Sequence, residues 1–227
     1  MKLRRGNADR FGRARQFFSR RTSSPASSGH NHGHDPEQDK SHSRAEEIAA
    51  LAKRHRHLVD SHRRFPLRAY LRHLEKDFQA VYRHLAARVE SGEKGTRSEE
   101  WLLDNRHVVQ EALELVRESV PPKYLRQLPK ISAEDGSTDL RVWALTTALV
   151  ADVSQPLDLE SVHSLVDRYQ EETILTTGEL WALPAALRLS LLQKLVNFAD
   201  QALENVAQHE EPDSVGIASA IISLREL

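Results

Sequence analysis

The 227-residue sequence has no cysteine, which excludes disulfides, thiolate zinc sites and cysteine nucleophiles together. No window approaches the ~18–20 apolar residues of a transmembrane helix; Ser214 to Leu224 is uncharged but too short. Aromatic side chains make up 6% of the chain and do not interleave with the basic residues, so nucleic acid is not an expected partner. There is no Gly-rich phosphate loop, HExxH, GxSxG or carboxylate pair framed by turn glycines. Catalysis by this chain alone is therefore not expected, and neither is a cofactor. Sustained alternation with β-branched enrichment is also missing, so no sheet is expected.

What remains is a polar, globular composition. Charged residues are 29%, the hydrophobic set is 39% and mean hydropathy is -0.56, a size and balance suited to one or two domains. The net charge of -1 hides an asymmetry: residues 1–97 carry 22 Lys and Arg against 11 Asp and Glu, and residues 98–227 carry 10 against 22. Ten of the 12 histidines precede residue 108.

Three regions follow from composition and period. Residues 1–43 hold too little apolar surface to offset the entropy of ordering and read as a disordered, basic, His-rich tail. The first 21 residues resemble a transit peptide in their Arg content and near absence of acids, Asp9 alone. Residues 44–97 read as a basic helical hairpin: a helix from Arg44 with Ile48, Leu51, Ala52, His55 and Leu58 on one stripe, then a helix opened by Pro66. The second carries Tyr70, Leu71, Leu74, Phe78, Val81, Tyr82, Leu85 and Val89 on its buried face.

Residues 98–227 form the third region. Thr96 or Ser98 caps a helix from Trp101 through Val116 that Pro121 and Pro122 stop. A helical turn around Tyr124, a turn over residues 132–138 and helices over Leu140–Val153 and from Asp158 come next. Thr176 and Glu179 form a capping box for a long helix to about Gln208, and Asp213 caps the last one. The last helix is expected to leave its apolar face half covered. The fold class is all-α, an irregular bundle of about seven helices.

Four groups of residues are candidates for function. His30, His32, His34 and His42, with Asp35, are imidazole and oxygen donors for Zn, Ni or Cu, but a Gly/Ser-rich tail offers no fixed geometry. His55, His57, His62, His73 and His84 lie among Arg72, Arg83 and Arg88, either a solvated face or one for phosphate or an anionic membrane. The first 21 residues carry eight Lys and Arg with Phe11, Phe17 and Phe18, a solubilising tail or a contact for anionic lipid. Carboxylates such as Glu99, Glu100, Glu111, Glu114, Asp152, Glu171 and Glu172 read as surface groups. Finally, Trp101, Asp104, Asn105, Tyr124, Glu179, Trp181 and Arg188 place aromatics beside polar groups in apolar helix. They read as bundle packing with satisfied Trp and Tyr donors, or as a rigid face presented to another domain.

Several blocks in order resemble the N-terminal region of the cyclic β-1,2-glucan synthases, large bacterial membrane glycosyltransferases. They are Glu100-Trp101-Leu102-Leu103-Asp104-Asn105, Tyr124 with Leu128-Pro129, Arg141-Val142 before Ala144-Leu145, and Tyr169-Gln170. Gly178-Glu179-Leu180-Trp181-Ala182 with Pro184, Leu187-Arg188-Leu189 and Ile222-Ser223-Leu224-Arg225 continue the series. The resemblance implies a helical lead domain of a UDP-glucose-dependent enzyme whose nucleotide-sugar site, metal-binding aspartates and transmembrane helices lie outside this sequence. It carries over no catalytic residue. It implies a cytoplasmic position at a bacterial inner membrane, with the synthase's catalytic portion as partner and the basic N-terminus as a further contact for anionic membrane. The alternative is a free-standing helical module that docks to an anionic surface or a protein.

Overall fold

The computed structural model describes residues 36–60, 65–92, 95–133, 136–151, 156–208 and 214–227. Residues 40–227 form one compact unit; of the separate unit 1–39, only the first turn of the opening helix is described. The tail with His30, His32 and His34, together with His62, Asp152 and Asp213, lies outside the described residues. Nine helices are present among the described residues, as the all-α reading expects, with one two-stranded sheet that it does not.

Helix α1 spans Pro36–Arg54 and so starts eight residues before Arg44. Proline suits the first helical position because its missing N–H has no helical partner there. Ile48, Ala49 and Ala52 are buried. The helix stops at Arg54, so His55 and Leu58 leave the predicted stripe: His55 turns into the interior, while Leu58 is exposed and bridges to Ile131.

Helix α2 spans Leu67–Glu90 and buries Tyr70, Leu71, Leu74, Phe78, Val81, Tyr82 and Leu85. Val89, the last residue of the predicted stripe, lies beyond the final buried position and is exposed. Pro66 stands just outside the helix as its N-cap, and its carbonyl accepts from the N–H groups of Ala69 and Tyr70.

The single helix expected after residue 98 is two: α3, Arg97–Asp104, and α4, Arg106–Ser119. Thr96, not Ser98, caps α3 through a capping box with Glu99. The break is at Asn105, whose backbone (φ -103, ψ 17) leaves the helical region. Its Nδ2 donates to the Trp101 carbonyl at 2.7 Å, and its Oδ1 accepts from Arg225, 120 positions away in sequence.

A single turn, α5 (Pro122–Leu125), leads to β1 (Lys130–Ser132) and β2 (Thr138–Leu140). The strands pair antiparallel with Ile131 opposite Asp139. The turn between them includes Gly136 at φ +75, a left-handed conformation that suits glycine. Helix α6 (Arg141–Leu149) is shorter than expected, and α7 (Leu159–Glu172) is capped by Asp158, which accepts from Ser161 N at 2.9 Å.

Helix α8, Thr177–Gln208, is the hub: it packs against α2, α3, α4, α6 and the last helix, α9 (Ser214–Glu226). Leu187, Leu189, Leu191, Leu192, Leu195 and Val196 are all buried, so the helix is apolar on more than one side, as a helix surrounded by others must be. Pro184 is exposed in its third turn. The expectation of a half-covered last helix is corrected: Ile217, Ala220, Ile221 and Leu224 are covered within the unit, and Val215 stays exposed.

Candidate functional site

The start of α8 combines a buried polar anchor with an exposed apolar surface. Thr176 N donates to the Glu179 carboxylate at 2.9 Å, and Glu179 N donates to Thr176 Oγ1 at 3.2 Å, completing the capping box. Glu179 is fully buried, and its partner is Arg141 from the first turn of α6. Arg141 Nε donates to Oε1 at 2.7 Å and Nη2 donates to Oε2, a two-point pairing. The same Nη2 donates to the Ile174 carbonyl at 3.1 Å, fixing the loop that enters α8. Burial draws the Arg141 pKa down, but the hydrogen bond and charge of Glu179 reverse this and leave it raised.

A second buried pair lies near this anchor. His55 Nδ1 and the Tyr169 hydroxyl share a 2.9 Å hydrogen bond. Burial, with the cations Arg54 and Arg141, pushes His55 down to about 4 against the opposing charge of Glu179. Burial raises the Tyr169 phenol. Thr173 Oγ1 donates to the Ala52 carbonyl, so α1 and α7 are tied at this end. His55, Tyr169 and Thr173 are all buried.

On the outside of this anchor the chain presents Ile174 at 80% exposure and Trp181 at 79%, with Leu180 and Pro184 also exposed. An indole this exposed is not bundle packing. The α8 start therefore holds a large aromatic in solvent on a backbone fixed by a buried ion pair. Nearby, the Tyr124 hydroxyl of α5 donates to the Gly178 carbonyl, and a Cβ added at Gly178 would meet Leu128 at 3.3 Å. Glycine lets the two segments approach closely.

The other sequence candidates disperse. Asn105 is buried at the α3–α4 break, half-buried Trp101 supplies it with a carbonyl, and Asp104 is exposed. Arg188 donates to the Leu227 carbonyl rather than facing Glu179, and its buried Nε has no partner among the described residues. His42 is exposed and pairs with Glu46; among the described residues no group of three or more His, Asp or Glu is placed to hold a metal ion. His57 and His84 are exposed, and His73 pairs with Asp77.

Three expectations are corrected. His55 is buried, and Arg88 leaves the basic face to pair with Glu99, a carboxylate expected at the surface but buried at the start of α3. The residue that sequence reasoning missed is Arg141. Its signal was present: a lone charge in the apolar run LRVWAL, matched by a lone carboxylate in LTTGELWAL. A small apolar cavity between Leu67, Val116, Leu128, Trp143, Ala182 and Leu189 offers no polar atom for chemistry. No helix among the described residues is long and apolar enough to cross a membrane.

No family model matches the chain. Over 135 residues, 60% of its length, it is 43% identical to "Cyclic beta-(1,2)-glucan synthase NdvB" of Rhizobium meliloti (strain 1021), of which it spans 5%. The helical chain built around α8 is thus similar to one small part of a cyclic beta-(1,2)-glucan synthase.

Proposed function

We propose that this chain is a non-catalytic helical domain of a cyclic β-1,2-glucan synthase system. In this reading the start of α8 docks it against the UDP-glucose-dependent glucosyltransferase portion at the cytoplasmic side of a bacterial inner membrane. The observation that carries the reading is Trp181, 79% exposed on a helix start held by the buried Arg141–Glu179 pair. Exposed tryptophans with apolar neighbours are the usual energetic centres of protein interfaces, and a fixed backbone lowers the ordering cost of binding. The similarity to one part of a cyclic beta-(1,2)-glucan synthase supports the choice of that partner.

The test is calorimetric titration of the 227-residue chain into the purified remainder of such a synthase, with wild type and Trp181→Ser. Loss of a central tryptophan weakens Kd by about 30-fold or more. Because the side chain touches solvent, the melting temperature of the free variant should stay within about 2 °C of wild type. No binding by the wild type, or equal binding by the variant, refutes the proposal.

A further inference from the structure

The exposed side of α2 carries a second surface, remote in chemistry from the Trp181 patch. Arg68, Arg72, Lys76 and Arg83 are all exposed. At 100° per residue they fall within an arc of about 80°, and from first to last they span about 22 Å at 1.5 Å per residue. Arg68, Arg72 and Lys76 pair with no described residue, and Arg83 donates to the Gln79 carbonyl of its own helix. The acids near the arc are largely engaged elsewhere: Glu75 pairs with Arg117 of α4 and Asp77 with His73. Glu90, at the far end, shares the arc. Gln79 and Ala80 fill the gap between Lys76 and Arg83 without a bulky group.

We propose that this ridge is a binding site for an anionic lipid surface. Guanidinium and ammonium groups recognise phosphate, and a straight row of cations on one rigid helix meets a planar array of headgroups along its whole length. The arc has no aromatic to stack bases, as single-stranded nucleic acid sites require. It has no apolar centre to desolvate, as protein interfaces require. A diffuse polyanion needs neither.

The experiment is co-sedimentation of the full chain with phosphatidylcholine vesicles, with and without phosphatidylglycerol. It compares wild type, the variant Arg68→Gln/Arg72→Gln/Lys76→Gln/Arg83→Gln, and a variant whose eight Lys and Arg in the first 21 residues are Gln. Each lost cation lowers partitioning about five-fold, so the ridge variant should bind at least 100-fold more weakly to the anionic vesicles. Rising salt should abolish wild-type binding. The four side chains are exposed, so an unchanged melting curve separates lost binding from lost fold. The proposal is overturned by wild type that ignores phosphatidylglycerol, by a ridge variant that binds like wild type, or by loss confined to the tail variant. Tighter binding to an oligonucleotide or to polyglutamate than to the vesicles also overturns it.

Discussion

Replacing Arg141 with methionine removes one half of an ion pair whose side chains are 5% and 0% exposed. The carboxylate of Glu179 then stays buried with only the Thr176 N–H and O–H as donors. Breaking a buried pair from one side costs about 3–5 kcal/mol, and the two remaining donors place this case toward the lower end, about 3–4 kcal/mol. The double variant Arg141→Met/Glu179→Met carries no stranded charge. It still loses the capping box and leaves the Ile174 carbonyl without its donor, at a loop that water reaches, so it should cost about 1–2 kcal/mol. The pair is thus expected to be more stable when both charges go than when Arg141 goes alone. Urea unfolding followed by circular dichroism, with linear extrapolation, measures all four corners of the cycle. Additive losses, or a single variant that costs under about 1 kcal/mol, would refute the account of this anchor.

The remaining expectations concern titration and packing. His55 has a folded-state pKa of about 4, below its unfolded value of 6.5. Its contribution is therefore fully present above pH 6.5 and is lost as pH falls toward 4, by about 3 kcal/mol in all. Urea midpoints between pH 7 and 4 should drop in wild type and drop less in His55→Leu; parallel curves would count against a buried neutral imidazole. Leu192 is fully buried in α8, so Leu192→Ala should cost about 2–5 kcal/mol by leaving a cavity. A calorimetric loss near zero would mean that the hub helix is not packed as described.

The sequence made the helical faces legible because a 3.6-residue period is local. The stripe from Tyr70 to Leu85 and the helix starts at Asp158 and Thr176 needed no knowledge of the rest of the chain, whereas the cap of α3 was narrowed only to Thr96 or Ser98. What it hid depends on partners far away in sequence. The break at Asn105 is secured by Arg225, and Glu99 is buried because Arg88 reaches it from another helix. Strands of three residues carry too few side chains for alternation to register, so the hairpin was invisible. The docking candidates were legible as residue types but not as a surface. Trp181 on an apolar helix reads as core, and only the fold shows which side of α8 its neighbours leave open. Asn105 and Arg188, chosen by the same reasoning, turn inward.

The central position of α8 has a consequence for how the protein is made. Its buried leucines lie between residues 187 and 195, and the ties that close the unit join residues more than 110 positions apart, among them His55–Tyr169, Ala52–Thr173 and Asn105–Arg225. During synthesis, α1 through α6 leave the ribosome before the helix against which α2, α3, α4 and α6 lay their apolar faces. At about 5–20 residues per second they wait several seconds for the hub to emerge. Non-local closure of this kind also slows folding once the chain is complete. The nascent helices are thus sticky before they are folded, and the yield of native protein should be governed by what shields them during that interval.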